Sequence, residues 1–266
     1  RLGYSQSTVS FQIHQLEEEL GTLLFERVNH TVKLTARGSE ILAVAQHMME
    51  LSRNMEEIAG EKQSFSGKVR IAMADSLCHW LFWDHYEAFH CQYPEISVQV
   101  MTASTQEMFR MLNQNEADLV YTLDRHIYDS KYVIASERQV DAHFVVSPTH
   151  PLAQRDAIQV EELLGEAFIL TEKGMSYRQL LEEELASRSM QIRPFLEIGD
   201  TLLICHLLEK NMGISFLPDY VTQRFVQKGS LQRLSVTDFS VGVWKQLLYR
   251  RDKWCTPQMQ CVIEYL

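Results

Sequence analysis

The chain has 266 residues, 45% hydrophobic and 23% charged, with a formal net charge of −10, which suits a folded protein with more than one core and excludes disordered and fibrous classes. Its longest apolar runs, such as residues 80–83 and 168–170, fall far short of the roughly 20 residues that cross a bilayer, so no membrane association is expected. The start, Arg1-Leu2-Gly3-Tyr4-Ser5, lacks the basic and apolar segments of a secretory signal, and a cytoplasmic location is expected. The acidic balance counts against a nucleic-acid binder unless the basic residues are locally concentrated.

In chain order, residues 5–20 read as one helix. Ser5 can cap it, and Val9, Ile13, Leu16 and Leu20 recur at helical spacing on a face expected to be buried. The other face carries Gln6, Ser7, Thr8, Ser10, Phe11 and His14. Amides, hydroxyls and a ring near a helix N-terminus suit base edges and phosphates in a major groove, although a merely solvated helix also shows a polar face. Gly21 follows, then a strand-like run at residues 24–27, a turn at 28–31 and a second run at 32–34, which together predict a β-hairpin. Thr35 caps a long helix. Within residues 39–62, Ile41, Val44, Met48, Leu51, Met55 and Ile58 alternate by three and four positions. Such a seam predicts a helix that pairs with another. Ser64-Phe65-Ser66-Gly67 then breaks the pattern.

Beyond the break, strand-like runs alternate with helical ones: 69–74, 77–92, 97–101, 105–115 and 118–122. This is the βαβαβ signature of a mostly parallel, doubly wound sheet. A second series covers 142–147, 160–164, 167–171, 177–188, 195–198, 201–210 and 213–217, and the chain closes with a strand at 244–250 and a helix at 257–266. Two α/β lobes of about 100 residues each are expected, with a ligand cleft between them. Ser76, and Ser104 or Thr105, fall at helix N-termini that favour an anion; Ser104 with Glu107 could instead form a capping box. The five cysteines, Cys78, Cys91, Cys205, Cys255 and Cys261, are odd in number and form no two-residue-spaced pair. They read as structural thiols, with a Cys255/Cys261 redox pair as the alternative. No nucleophile elbow, phosphate loop or metal-ligand cluster is present in the sequence, so neither catalysis nor a cofactor is expected.

Three segments carry a specific resemblance: Ser-Gln-x-x-Val-Ser-x-Gln-Ile-x-x-Leu-Glu from Ser5, Leu-Gly-x-x-Leu-Phe-x-Arg from Leu20, and Val-x-Leu-Thr-x-x-Gly from Val32. Together they resemble the LysR-type transcriptional regulators. Glu116-Ala117-Asp118-Leu119-Val120, His150-Pro151-Leu152-Ala153 and Gly213-Ile214-Ser215-Phe216-Leu217-Pro218 extend the resemblance in the family's order. It implies an α/β chain with a partial winged helix-turn-helix at 1–36, a linker helix at 37–63, and a two-lobed effector domain of periplasmic-binding-protein type. Its first lobe would comprise 67–139 plus 236–266, and its second 140–235. The resemblance also implies two helices ahead of the first one here, so N-terminal residues are expected to be missing.

The implied partners are double-stranded DNA, a small-molecule effector, and further copies in a homodimer or homotetramer. Base reading is expected from Gln6, Ser7, Thr8, Ser10, Phe11 and His14, and phosphate contacts from Arg27, Lys33 and Arg37. Effector-binding positions implied are Ser76, Leu77, Thr105, Leu123, Thr171, Gly174, Ser176, Tyr177, Thr201 and Phe216. The family often has basic residues where Phe11, His14 and the wing-tip His30 stand, and some acid-binding members have one at Leu123. With five basic against eight acidic residues in positions 1–60, DNA affinity is expected to be modest. A carboxylate ligand would depend on helix N-termini, Lys173 or Arg178. The alternatives are a solute-binding protein, which the hairpin and seam oppose, and a redox-sensing regulator, for which the second lobe offers only Cys205.

Overall fold

A computed structural model describes residues 5–28, 31–59 and 66–266. The chain divides into two units, Arg1–Gln63 and Ser64–Leu266.

In the first unit, Ser5 Oγ accepts from the Thr8 N–H at 3.2 Å and opens α1 (Gln6–Leu20). Gly21 ends the helix at φ +64°, the left-handed conformation that glycine adopts without strain. Glu17 Oε1 then accepts from the N–H groups of Leu24 (2.7 Å) and Phe25 (3.1 Å) and fixes the turn into β1 (Phe25–Val28). β1 pairs antiparallel with β2 (Thr31–Leu34), Phe25 opposite Leu34; the hairpin tip, with His30, lies outside the described residues. Thr35 Oγ1 accepts from the Gly38 N–H at 2.9 Å and starts α2 (Ala36–Ala59). Gly38 is required there, because a Cβ would stand 2.0 Å from the Leu24 carbonyl oxygen. The expected buried face of α1 is not buried: Val9, Leu16 and Leu20 are 37%, 43% and 47% exposed. Among the described residues of this unit only Leu24 is a buried apolar side chain, so nothing described covers that stripe.

The second unit begins with β3 (Gly67–Met73), α3 (Asp75–Asp84), α4 (Tyr86–Gln92), β4 (Ile96–Thr102), α5 (Thr105–Asn113), β5 (Leu119–Asp124) and β6 (Tyr132–Val140). The chain then leaves this lobe and builds β7 (Ala142–Val146), a 3₁₀ turn (Pro151–Gln154), α6 (Val160–Leu163), β8 (Ile169–Leu170), α7 (Ser176–Ser187), β9 (Leu196–Glu197), α8 (Thr201–Glu209), β10 (Ser215–Pro218), α9 (Asp219–Gln227) and β11 (Gln232–Arg233). It returns through β12 (Val243–Arg250) and ends with α10 (Pro257–Tyr265). The first lobe's sheet has the order β4-β3-β5-β12-β6; the second has β10-β7-β11 and a separate β8-β9 pair.

Two expectations are corrected. The sheets are mixed rather than mostly parallel: β3, β4 and β5 are parallel, but β12 runs antiparallel to both β5 and β6, and β7 antiparallel to β10 and β11. β12 re-enters the first lobe from the second and must therefore run opposite to β6, by which the chain left. The single helix expected at 77–92 is two, broken at His85, whose carbonyl accepts from the Tyr265 hydroxyl at 2.5 Å. No helix among the described residues is long and apolar enough to cross a membrane.

One buried ion cluster ties the first lobe together. Asp118 accepts from the Arg70 guanidinium (2.7 Å), the Arg70 N–H (2.7 Å) and the Lys253 ammonium (2.9 Å), which joins β3, the start of β5 and the segment before α10. Burial would raise the Asp118 carboxyl, but the two cations outweigh it and hold it below the ordinary carboxylate range. Its contribution to stability is therefore present above the unfolded carboxylate pKa and is lost as pH falls through the lowered folded value. Asp118→Asn leaves Lys253, almost fully buried, without its carboxylate. Urea unfolding should show a loss of about 3–5 kcal/mol at neutral pH that shrinks at acid pH.

Candidate ligand cleft and nucleic-acid face

The two lobes of the second unit meet where the first turn of α3 faces the starts of α7, α8 and α9. The helix begins at Asp75, not Leu77, so Ser76 lies within its first turn. Ser76 Oγ and Tyr220 Oη share a hydrogen bond of 2.7 Å across the lobes. His79 Nε2 stands 3.5 Å from Asp75 Oδ2 and 3.6 Å from Asp200 Oδ1, placing one imidazole between a carboxylate of each lobe. Burial pushes the Asp75 carboxyl up; His79 opposes this and Asp200 adds to it. The Arg125 guanidinium reaches Glu183 of α7, a further tie across the cleft.

Inside this junction lie hydroxyls whose hydrogen-bonding capacity is not fully used. Among the described residues, Thr201 Oγ1 and Asp75 Oδ2 are buried without a hydrogen-bond partner, and Thr171 Oγ1 and Tyr177 Oη are buried with no partner but each other. Thr171, Tyr177 and Thr201 are 5%, 4% and 1% exposed. Leaving such a group unsatisfied costs on the order of 1–3 kcal/mol, and buried polar groups in folded proteins are normally paired. Burial pushes the Tyr177 and Tyr220 phenols up, and the Asp75 carboxylate acts on both. Beside the Ser76–Tyr220 contact a cavity of about 200 Å³ runs between α3 and α9, walled by Trp80, Trp83, Leu202 and Phe225.

The ten positions expected at the cleft divide into groups. Ser76, Thr171, Tyr177 and Thr201 converge as described, and Ser176 lies buried in the first turn of α7 behind Gly174, which takes φ +82° in the preceding turn. Leu77, Leu123 and Phe216 are core side chains; Phe216 packs on Phe144 with ring centroids 5.0 Å apart. Thr105 Oγ1 donates to Asp124 Oδ2 at 2.6 Å, which places a carboxylate where an anion site was expected. Ser104 caps α5 by accepting from the Glu107 N–H, but Glu107 turns to Arg110, so no reciprocal capping box forms. Arg178 donates through Nε and Nη2 to Glu182, and Lys173 is exposed. The sequence reading missed Asp75, His79, Asp200 and Tyr220. Adjacency to Ser76, to Thr201 and to the Gly-Ile-Ser-Phe-Leu-Pro segment was the available signal.

All five cysteines are free, and burial, aided by Glu209 and Asp200, pushes the Cys205 thiol up to about 12. Thiolate is the reactive form, so mass analysis after mild peroxide at neutral pH should find Cys205 unmodified while exposed Cys91 reacts. Oxidation at Cys205 ahead of Cys91 would contradict this.

On α1, Ser7, Thr8, Ser10, Phe11 and His14 are exposed, with His14 Nε2 3.5 Å from Glu18. Lys33 is exposed on β2, and Arg37 pairs with Glu40 at 3.0 Å on the open surface of α2. The side chains of Gln6 and Arg27 lie outside the described residues. Along α2, Val44, Met48 and Leu51 of the seam are exposed; the side chains of Met55 and Ile58 lie outside the described residues.

Known proteins share both units. Residues 1–39 match the bacterial regulatory helix-turn-helix protein model of the lysR family, and residues 62–266 match the LysR substrate binding domain. The RuBisCO operon transcriptional regulator of Allochromatium vinosum is 28% identical over 269 residues, covering 100% of this chain and 87% of that protein. A full-length OxyR variant from Pseudomonas aeruginosa shares the fold, with a TM-score of 0.74 at 20% identity over 98% of this chain and 84% of that one. The regulatory domain of CcmR from Synechocystis, solved in complex with 2-PG, has a TM-score of 0.63 at 21% identity over 75% of this chain and 95% of that one. With a helix, hairpin and long helix ahead of a two-lobed α/β body, and family models matched over both, the chain belongs to the LysR family of transcriptional regulators.

Proposed function

We propose that this chain is a cytoplasmic, non-enzymatic regulator of transcription whose two-lobed body closes on a small molecule and passes that state to a DNA-bound oligomer. The observation that carries the sensing role is the set of buried, incompletely satisfied hydroxyls of Thr171, Tyr177 and Thr201 at the lobe junction. A ligand that supplied their missing partners would favour the closed lobes by as much as it bound them better than the open ones. The CcmR regulatory domain, of the same fold, holds 2-PG, which supports a small molecule as the signal. The lobes are assigned as 67–139 plus 236–266 and 140–235.

A thermal-shift screen of amino acids, organic acids and aromatic metabolites tests the reading. A true effector raises the melting temperature by mass action. Replacing Thr171 and Thr201 together by Val should weaken that effector at least about tenfold, because each hydroxyl loses a hydrogen bond worth about 1 kcal/mol. Unchanged affinity in the double variant would remove these residues from the site.

DNA contact is assigned to the exposed face of α1, with Ser7, Thr8, Ser10, Phe11 and His14 joined by Gln6 reading bases, and to Arg27, Lys33 and Arg37 on phosphates. Residues 1–36 form the reading head and 37–63 the linker that pairs two copies. The linker assignment rests on the exposed seam of Val44, Met48 and Leu51, which water would otherwise cover. Val44→Lys with Leu51→Lys should shift the sedimenting species to a smaller mass and weaken operator binding together. A variant that keeps its mass would place the oligomer contact elsewhere.

A further inference from the structure

Within the first lobe, Lys245 and Arg138 stand directly opposite one another on β12 and β6. Like charges facing across antiparallel strands repel. The neighbour of Lys245 on its other side, Leu123 of β5, is fully buried and apolar. The Lys245 ammonium sits 4.1 Å from the Trp80 ring centroid and 5.5 Å from that of Tyr121. Those rings attract the cation without neutralising it. Neither the Lys245 nor the Arg138 side chain makes a hydrogen bond or an ion pair with any described residue.

Several cations of this unit do hold carboxylates. Arg70 and Lys253 share Asp118, Arg178 holds Glu182, and Arg125 reaches Glu183. Acids outnumber bases by 35 to 25 in the chain, so acidic partners are not scarce, yet these two adjacent cations have none. Burial, with Arg138 adding to it, pushes the Lys245 amine down to about 8, the response of an ammonium that lacks a counter-charge. Arg138 is exposed and Lys245 half-buried, which gives an anion a path from solvent to both. The planar fork of Arg and the compact head of Lys are the pair that proteins use on oxyanions.

The position adds a consequence. β6 is the strand by which the chain leaves the first lobe and β12 the strand by which it returns, and their last register pair is Val140 with Val243. Lys245 and Arg138 lie two residues inside that pair. We propose that Lys245 and Arg138 form a binding site for a small oxyanion, a carboxylate or a phosphate, which bridges the two crossover strands and stiffens the hinge between the lobes. The site shares only the Trp80 ring with the cavity at the lobe junction, uses none of its hydroxyls, and stands whether or not an effector binds there.

The test uses the whole chain, with inorganic phosphate and succinate as separate probes at constant ionic strength set by NaCl. At tenfold over Kd the melting temperature should rise by about 3–6 °C with at least one probe, and the probe that acts identifies the anion class. Lys245→Met with Arg138→Gln should abolish the shift and, with the repulsion gone, melt no lower than the native protein in NaCl alone. Arg138→Gln alone, a surface change, should weaken the active probe about tenfold. The same probe should slow acylation of Lys245, read by peptide mass. Equal shifts in native and double-variant protein, or silence with both probes, would overturn the proposal. So would a fall in the sedimenting mass of the double variant, which would assign the cations to contact between subunits.

Discussion

Two strands carry the whole connection between the lobes. β6 leaves the first lobe and β12 re-enters it, and they are paired in register from Tyr132 with Arg250 to Val140 with Val243. This ties the lobes to a common ladder on one side. At the junction the starts of α3, α7 and α8 face inward, and side chains meet across the gap. Ser76 with Tyr220, His79 between Asp75 and Asp200, and Arg125 with Glu183 are those contacts. Each is individually worth little where it is partly exposed, which suits a joint whose equilibrium a ligand can move.

The sequence showed much of this because its strongest signals are local. Helical periodicity and the Ser5 cap located α1, the three-and-four spacing located α2, and alternating runs located most strands of both lobes. β6 has no strand signal of its own because its later residues, Ser136-Glu137-Arg138-Gln139, are polar, although they pair with β12 along the hinge. α9 was missed because its first residue follows Pro218, and its role across the lobes depends on Tyr220 meeting a serine that is distant in the chain. Strand direction was misjudged for a similar reason: the antiparallel entry of β12 depends on the chain having left for another lobe, which no local pattern records.

The same limit explains the site. Ser76, Thr171, Tyr177 and Thr201, expected from resemblance and helix starts, lie together at the junction. Leu77, Leu123 and Phe216 were named with them but are core residues, since an apolar side chain beside a cleft and one behind it look alike in sequence. The acidic character given by Asp75 and Asp200, and the unpaired cations of Lys245 and Arg138, are properties of what stands next to what. They became visible only once distant strands and helices were brought together.

The central claim is that the contacts across the lobes hold a closed state in balance with an open one. Spin labels at exposed Gln106 in the first lobe and Gln191 in the second, in a background without exposed Cys91, report that balance as a distribution of distances. The account predicts a narrow distribution in the otherwise native protein and a broader one with a longer component when Ser76, His79 and Arg125 are all replaced by Ala. Identical distributions in the two proteins would contradict it.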